Sequence, residues 1–296
     1  MLLWGSLFPC IKIGYKVFGI NTGNTSDILV FAAMRFVVCG MVVCLIARLT
    51  GAHLEVPKAK SIFVMCVMGI FAIVLHYSLT YVGLSMTDSS KTALLKQFGP
   101  LLYSCFSFLF IKSESYSKEK LIGAIVGFCG IAAICTETST SAFAVGDILI
   151  LAASFCTVIS MIISGRSANG SSPFWITGIS QLFGGIVLLA AAFASGGNFP
   201  QFSTASLRVF AYICTASIAG YTIFYYVQRK IELSRLFIVK FAEPFFACVF
   251  GAILLDENIY RFQYLAAFLL ISAGICIANR KGKAAEREEH HESKNI

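Results

Sequence analysis

Charged side chains are scarce: they make up 13% of the 296 residues, against 57% apolar ones, and the mean hydropathy is +0.80. A soluble domain carries about 25% charged residues, so composition alone places this chain in a membrane. Also missing is any Cys-x-x-Cys pair. The eleven cysteines lie mostly singly inside apolar stretches (Cys66, Cys105, Cys214, Cys248), which argues against a disulfide framework or a zinc site and for small packing residues. The surplus of eight positive charges does not indicate a nucleic-acid partner, because Lys and Arg fall in short clusters between apolar runs rather than along one face. No connecting segment is long enough to hold a soluble domain. A cleaved signal peptide cannot explain hydrophobicity that recurs along the whole chain. An apolar helix follows Met1 at once, so either the N-terminal tail is very short or the start lies upstream.

What is present is a series of apolar runs. Crossing a bilayer takes about 20 residues of helix, and ten candidate spans are predicted: 2–20, 28–48, 61–84, 91–111 and 118–136, then 145–164, 173–195, 206–227, 235–255 and 259–279. The fold class is therefore all-α integral membrane protein. Its division is a first five-helix unit over 1–136, a second over 145–279, and a charged tail over 280–296. Alternate loops carry the basic residues (Arg48, Lys58, Lys60; Lys112, Lys118, Lys120; Arg166; Arg229, Lys230, Arg235), and the tail adds more. That asymmetry predicts cytoplasmic N- and C-termini in a multi-pass protein of the cytoplasmic membrane.

Sliding the chain against itself by 144 residues places Tyr77 on Tyr221, Tyr81 on Tyr225, Ser90 on Ser234, Lys96 on Lys240 and Pro100 on Pro244. Gly40 falls on Gly184, and Gly130-Ile131 on Gly274-Ile275. Lysine, proline and paired tyrosines at one offset are hard to obtain by chance, even in so apolar a chain. Five is odd, so the second unit enters the membrane upside down relative to the first. Inverted repeats are the usual architecture of secondary transporters, with the ligand near the midplane between the units.

An ionisable group inside a span costs about 2.5–3.5 kcal/mol on insertion scales. Lys12, Arg35, His76, Lys96, Lys240 and Glu243 fall there, whereas Lys91 is close enough to a helix end to snorkel. Lys96 and Lys240 each precede a proline by four residues, so Pro100 and Pro244 should bend their helices and free the lysine carbonyls. Both lysines are candidate substrate ligands; Lys240 could instead simply pair with Glu243. Lys12, which follows Pro9 (a third helix-kink candidate), could face the same cavity. Tyr77/Tyr81 and Tyr221/Tyr225 lie at i, i+4 and share a face, as pocket walls or as ordinary packing. Glu243 and His76 are the proton-coupling candidates, although a neutral hydrogen-bonded histidine is the simpler reading of His76. Arg35 either binds an anion or ties helices through carbonyls, the second being favoured. Gly123, Gly127 and Gly130, with Gly184-Gly185, read as close helix packing. Three basic groups against one acid favour an anionic or zwitterionic substrate.

These residues, in this order, resemble the drug/metabolite transporter superfamily, EamA type, over essentially the full length. The likeness rests on Leu3-Trp4-Gly5-Ser6-Leu7-Phe8-Pro9 with Lys12, on Arg35-Phe36, and on Leu95-Lys96-Gln97-Phe98-Gly99-Pro100. It also rests on Gly123 to Gly130, on Lys240-Phe241-Ala242-Glu243-Pro244-Phe245-Phe246, and on Leu254-Leu255-Asp256-Glu257. The resemblance implies a ten-helix, inverted-repeat carrier of a small-molecule substrate, often an exporter, working without a cofactor. Members often close the ninth span with Gly-Glu where this chain has Asp256-Glu257, and the first unit has Lys112-Ser113-Glu114 there. A ligand-binding sensor and a membrane-embedded enzyme are the alternatives; with one deep Glu and one deep His, no metal or acid–base set is assembled for the latter.

Overall fold

The computed structural model describes residues 1–49, 57–106, 109, 118–135, 145–167, 172–228, 230, 236, 240, 242–259 and 262–278. The charged tail and three of the basic loop residues that set the expected orientation, Lys112, Arg229 and Arg235, lie outside the described residues. Ten helices form among those described: α1 (Leu2–Val17), α2 (Thr25–Leu49), α3 (Ala59–Met86), α4 (Ser89–Leu95 and Phe98–Phe106), α5 (Lys118–Cys135), α6 (Val145–Ser167), α7 (Pro173–Ala194), α8 (Thr204–Gln228), α9 (Ala242–Leu255) and α10 (Phe262–Ala278). Five of them, α2, α3, α6, α7 and α8, are individually long and apolar enough to cross a bilayer.

Local chemistry sets several ends. Pro173 opens α7 behind Ser172, whose hydroxyl accepts from the Phe174 N–H. Gly19 and Gly196 take positive φ just beyond α1 and α7, where a left-handed residue closes a helix. Asp256 takes the same role after α9, with φ of 54°. Two spans depart from simple helices. The fourth is not one helix over 91–111 but two half-helices that part at Lys96 and Gln97. The third contains a π-helical segment, Ile70–Leu75, directly before His76. Such wide turns rotate the side-chain face of the next helical stretch and occur mostly at functional sites.

The packing repeats itself across the two units. α2 lies against its counterpart α7, and α5 against its counterpart α10. α3 packs on α6 as α8 packs on α1, and α9 packs on α1 as α4 packs on α6. Glycines permit the closest of these approaches. A Cβ on Gly185 would lie 2.7 Å from the Val37 nitrogen, and one on Gly274 would lie 2.6 Å from the Gly123 carbonyl and 2.7 Å from the Gly127 nitrogen. The bundle is apolar outside and polar within. Phe262, Ile253 and Phe63 are exposed, whereas Arg35, Gln97 and Asp147 have no exposed surface at all. Exposed side chains of this kind suit a hydrocarbon environment, and buried charge suits a protein-lined interior.

Candidate functional site

A cavity opens between the two units where the half-helices of α4 part and where α9 begins. It is small, about 60 Å³, enough for on the order of four water molecules. Its polar lining comes from Arg35, His76, Tyr77, Lys96, Tyr221, Tyr225, Lys240 and Glu243; Trp4, Phe8 and Phe224 supply aromatic walls.

Pro100 and Pro244 are what put the lysines there. Pro100 is the third residue of the second half of α4, in the first turn, where an absent N–H breaks no intrahelical bond, and Pro244 lies near the described start of α9. Pro100 therefore starts a half-helix rather than bending a continuous one, which differs from the kink expected of it; the turn before Pro244 includes Phe241, which lies outside the described residues. Pro9, in contrast, lies buried inside an uninterrupted α1.

Lys96 Nζ sits 3.2 Å from His76 Nε2. The other ring nitrogen, Nδ1, lies 2.9 Å from the Ala153 carbonyl and 2.7 Å from Thr157 Oγ1. A carbonyl can only accept, so Nδ1 carries the proton and Nε2 accepts from Lys96; the imidazole is neutral. Lys96 Nζ also stands over the rings of Phe8 (5.0 Å) and Tyr77 (5.6 Å). In the second unit, Lys240 Nζ lies 3.8 Å from Glu243 Oε2 and 5.5 Å from the Trp4 ring. That ion pair is loose, and Glu243 Oε2 is buried without a hydrogen-bond partner.

Two tyrosines meet between the lysines. The Tyr77 and Tyr221 hydroxyls are 2.5 Å apart, and the residues are 144 apart in sequence, the repeat offset itself. A contact between equivalent residues places them on the pseudo-two-fold axis relating the units. Tyr225 lines the cavity, but Tyr81 does not: its hydroxyl accepts from Arg35 Nη1 at 2.7 Å. Arg35 does not bond carbonyls, contrary to the expectation from sequence. Its Nη1 takes that phenol, its Cζ lies 4.6 Å from the Phe36 ring centroid and 5.1 Å from that of Tyr77, and its Nε and Nη2 are buried with no partner. Arg35 belongs to the cavity.

Lys12 does not face that cavity. It lies toward the far end of the bundle, 3.7 Å from Glu257 and 3.8 Å from Asp88. There the Glu257 carboxylate caps the first half of α4, accepting from Ser89 N (2.7 Å), Ser89 Oγ (2.8 Å), Ser90 N (3.0 Å) and Ser90 Oγ (2.6 Å). Burial alone would raise the Glu257 pKa; the bonds from Ser90 and Ser89 outweigh it and hold the group below its ordinary value. Lys91 does not snorkel. It is buried in a 2.9 Å ion pair with Asp147, because α6 covers the start of α4. At the same end of the bundle, the rings of Phe18, Phe31, Tyr81 and Phe210 pack on one another, with the Tyr15 hydroxyl donating to the Tyr81 carbonyl at 3.0 Å.

The EamA-like transporter family model matches residues 1–136 and again 144–280. The chain belongs to the EamA-like transporter family. Relatives include the uncharacterized transporter YvbV of Bacillus subtilis, 25% identical over 96% of this chain and 90% of that one. An uncharacterized transporter of Archaeoglobus fulgidus is 26% identical over 94% and 83%. A WAT1-related chloroplastic protein of Arabidopsis thaliana is 24% identical over 64% and 48%. A crystal structure of a protein 16% identical in sequence superposes with a TM-score of 0.68 over 96% of this chain and 97% of its own, which shows the shared fold. This EamA-family protein is accordingly a multi-pass membrane transporter with a ten-helix fold.

Proposed function

We propose that this EamA-family protein is a secondary carrier and not an enzyme, exporting a small polar metabolite, an amino acid or an organic anion, across the cytoplasmic membrane by alternating access. The observation that carries the proposal is the cavity itself. Repeat-equivalent lysines, Lys96 and Lys240, face it from the two units on either side of the Tyr77–Tyr221 contact. Two near-equivalent halves around one polar centre can exchange conformations and so open it first to one side and then to the other.

The present state fits one end of that cycle. The cavity is lined by the early part of α1, the later parts of α6 and α8 and the start of α9, all toward the end of the bundle that holds Met1. The opposite end is shut by the Glu257 cap, the Lys12 pairs and the aromatic cluster. With both termini cytoplasmic, as the basic loops suggest, this is a carrier closed to the exterior. The units are 1–136 and 145–279, followed by the tail over 280–296. Proton coupling runs through Glu243, whose Oε2 has an unfilled acceptor site, and His76, whose Nε2 contacts Lys96.

The test is counterflow in proteoliposomes holding only this protein, with a panel of amino acids and organic acids. The expected result is exchange of at least one class, lost in Lys96→Ala and in Lys240→Ala. Saturable binding without exchange would make the protein a receptor. Exchange unchanged in both variants would remove the lysines from the path.

A further inference from the structure

The charges around the cavity do not balance, and the imbalance names the occupant. We infer that the cavity takes a small organic acid of net negative charge, a carboxylate of a few carbons without an ammonium group; this rests on the carrier reading and decides between the two substrate classes it leaves.

Four ionisable groups carry charge into the cavity. Lys240 and Glu243, one helical turn apart and 3.8 Å from each other, offset one another. Arg35 and Lys96 remain. A guanidinium stays charged at any physiological pH, and Arg35 has no exposed surface. Its single hydrogen bond goes to a neutral phenol, and the adjacent Nε and Nη2 hydrogens are unpaired. Lys96 likewise meets only a neutral imidazole. Both cations stand over one ring, Arg35 Cζ at 5.1 Å and Lys96 Nζ at 5.6 Å from the Tyr77 centroid. Among the described residues no carboxylate comes within 4.0 Å of either. Two buried cations over one ring, with no carboxylate in contact with either among the described residues, are costly, and an anion in contact with both offsets the cost.

The geometry of the vacant donors selects a carboxylate. Nε–H and Nη2–H lie along one edge of the guanidinium, the fork that a carboxylate fills with two parallel bonds. Lys96, over the same Tyr77 ring, supplies a second, more mobile donor. An amino acid fits this site poorly. Its ammonium adds a third cation beside Arg35 and Lys96; the one carboxylate lining the cavity is Glu243, whose open Oε2 it would have to share with Lys240, 3.8 Å away, and His76 Nε2 already accepts from Lys96. Leu7, Phe8 and Ile11 offer apolar wall to a short carbon skeleton.

The sequence holds two tryptophans, so Trp175→Phe leaves Trp4, in the cavity wall, as the sole tryptophan reporter. Propionate and L-alanine share a three-carbon skeleton and differ by the ammonium group; succinate and choline extend the comparison. The purified Trp175→Phe protein is expected to respond saturably to propionate and succinate, at concentrations about tenfold or more below those needed for L-alanine, a gap of one like-charge contact. Lys96→Gln should weaken both acids and narrow that gap. Arg35→Lys, which keeps the charge and removes the fork, should weaken the acids more than it weakens L-alanine. Equal or tighter binding of L-alanine, no saturable response to the acids, or acid binding unchanged in Lys96→Gln would each overturn the inference. Counterflow separates the two levels. Exchange of L-alanine without a response to acids sinks this inference and leaves the carrier standing; acid binding without exchange does the reverse.

Discussion

Glu257→Gln tests how the far end of the bundle is held shut. The carboxylate accepts four hydrogen bonds, two to each oxygen: Ser89 N and Oγ on Oε1, Ser90 N and Oγ on Oε2. Glutamine keeps one oxygen and so serves one serine. The other serine then faces an amide N–H₂. Its hydroxyl can rotate and accept from that amide, but its backbone N–H cannot, and one charge-assisted bond is lost outright. Hydrogen bonds to charged groups contribute about 1.5–3 kcal/mol, so the closed end should loosen by roughly 2–3 kcal/mol, a factor of about 30 to 150. Hydrogen–deuterium exchange at the Ser89 and Ser90 amides reads this directly. The variant should exchange faster there by that factor, with the α5–α10 contact unaffected. The wild-type protein supplies a second arm. Because the Glu257 pKa in the closed state lies below its ordinary 4.5, the stabilisation is complete above about 4.5 and fades as pH falls through the lower closed-state value. Protection, corrected for the intrinsic chemical rate, should therefore be flat from neutral pH down to that region and decline beyond it, and Glu257→Gln should show no such decline. Equal protection in variant and wild type at neutral pH would refute the cap as what holds this end.

Three further outcomes come from the packing. Lys91→Met strands Asp147, whose Oδ1 already lacks a partner, so it should cost about 3–5 kcal/mol, and adding Asp147→Leu should recover most of it; thermal unfolding in detergent distinguishes this from a dispensable pair, for which the single variant would be silent. Gly185→Ala would put a Cβ 2.7 Å from the Val37 nitrogen, a backbone atom that cannot rotate away, and should destabilise the α2–α7 contact by about 1–3 kcal/mol in the same unfolding assay. Tyr77→Phe and Tyr221→Phe remove the same bond, so their effects on counterflow should overlap, the double variant being little worse than either alone; additive losses would mean that the hydroxyls act separately.

How much of this can be read from the sequence depends on the distance over which each feature is determined. Helix number and the repeat are local or periodic, and the 144-residue offset even locates the tyrosines that meet on the axis. The half-helices of α4 are not legible in the same way, because a proline reads as a kink or a start depending on whether a turn of helix precedes it, and that turn is set by neighbours. Lys91 escapes a sequence reading for a related reason. Snorkelling presumes lipid on the helix face, whereas α6 brings Asp147 there, and Asp147 alone at a helix start signals only a favourable dipole contact. Arg35 and Lys12 exchange the roles expected of them, since nothing in an evenly apolar span fixes helix rotation. Asp256-Glu257 is legible only in part. Position 256, where the family resemblance leads one to expect glycine, takes a left-handed backbone, which aspartate tolerates better than most residues, and that turn lets Glu257 reach back to α4.

The deepest asymmetry lies where the repeat is otherwise best kept. Lys96 and Lys240 are equivalent, but their companions are not. His76, which contacts Lys96, corresponds to Gly220 in the second unit, and Glu243, which faces Lys240, corresponds to Gly99 in the first. Both glycines are closed to a return of the missing group. The Trp4 ring fills the space a side chain on Gly220 would need, and a Cβ on Gly99 would lie 2.6 Å from the Ser154 carbonyl. Arg35, in turn, corresponds to Ile179. Two lysines related by symmetry are thus given opposite settings: one beside a neutral base and an unpaired guanidinium, the other beside a carboxylate. A strictly symmetric pair would attract an anion equally from both units and hold it on the axis, over the Tyr77–Tyr221 bond. With the second lysine already offset by Glu243, the attraction is displaced toward the first unit, between α2 and α4. On the alternating-access proposal, an anion bound there would travel with one unit, and the Tyr77–Tyr221 bond across the axis would be the contact that has to break.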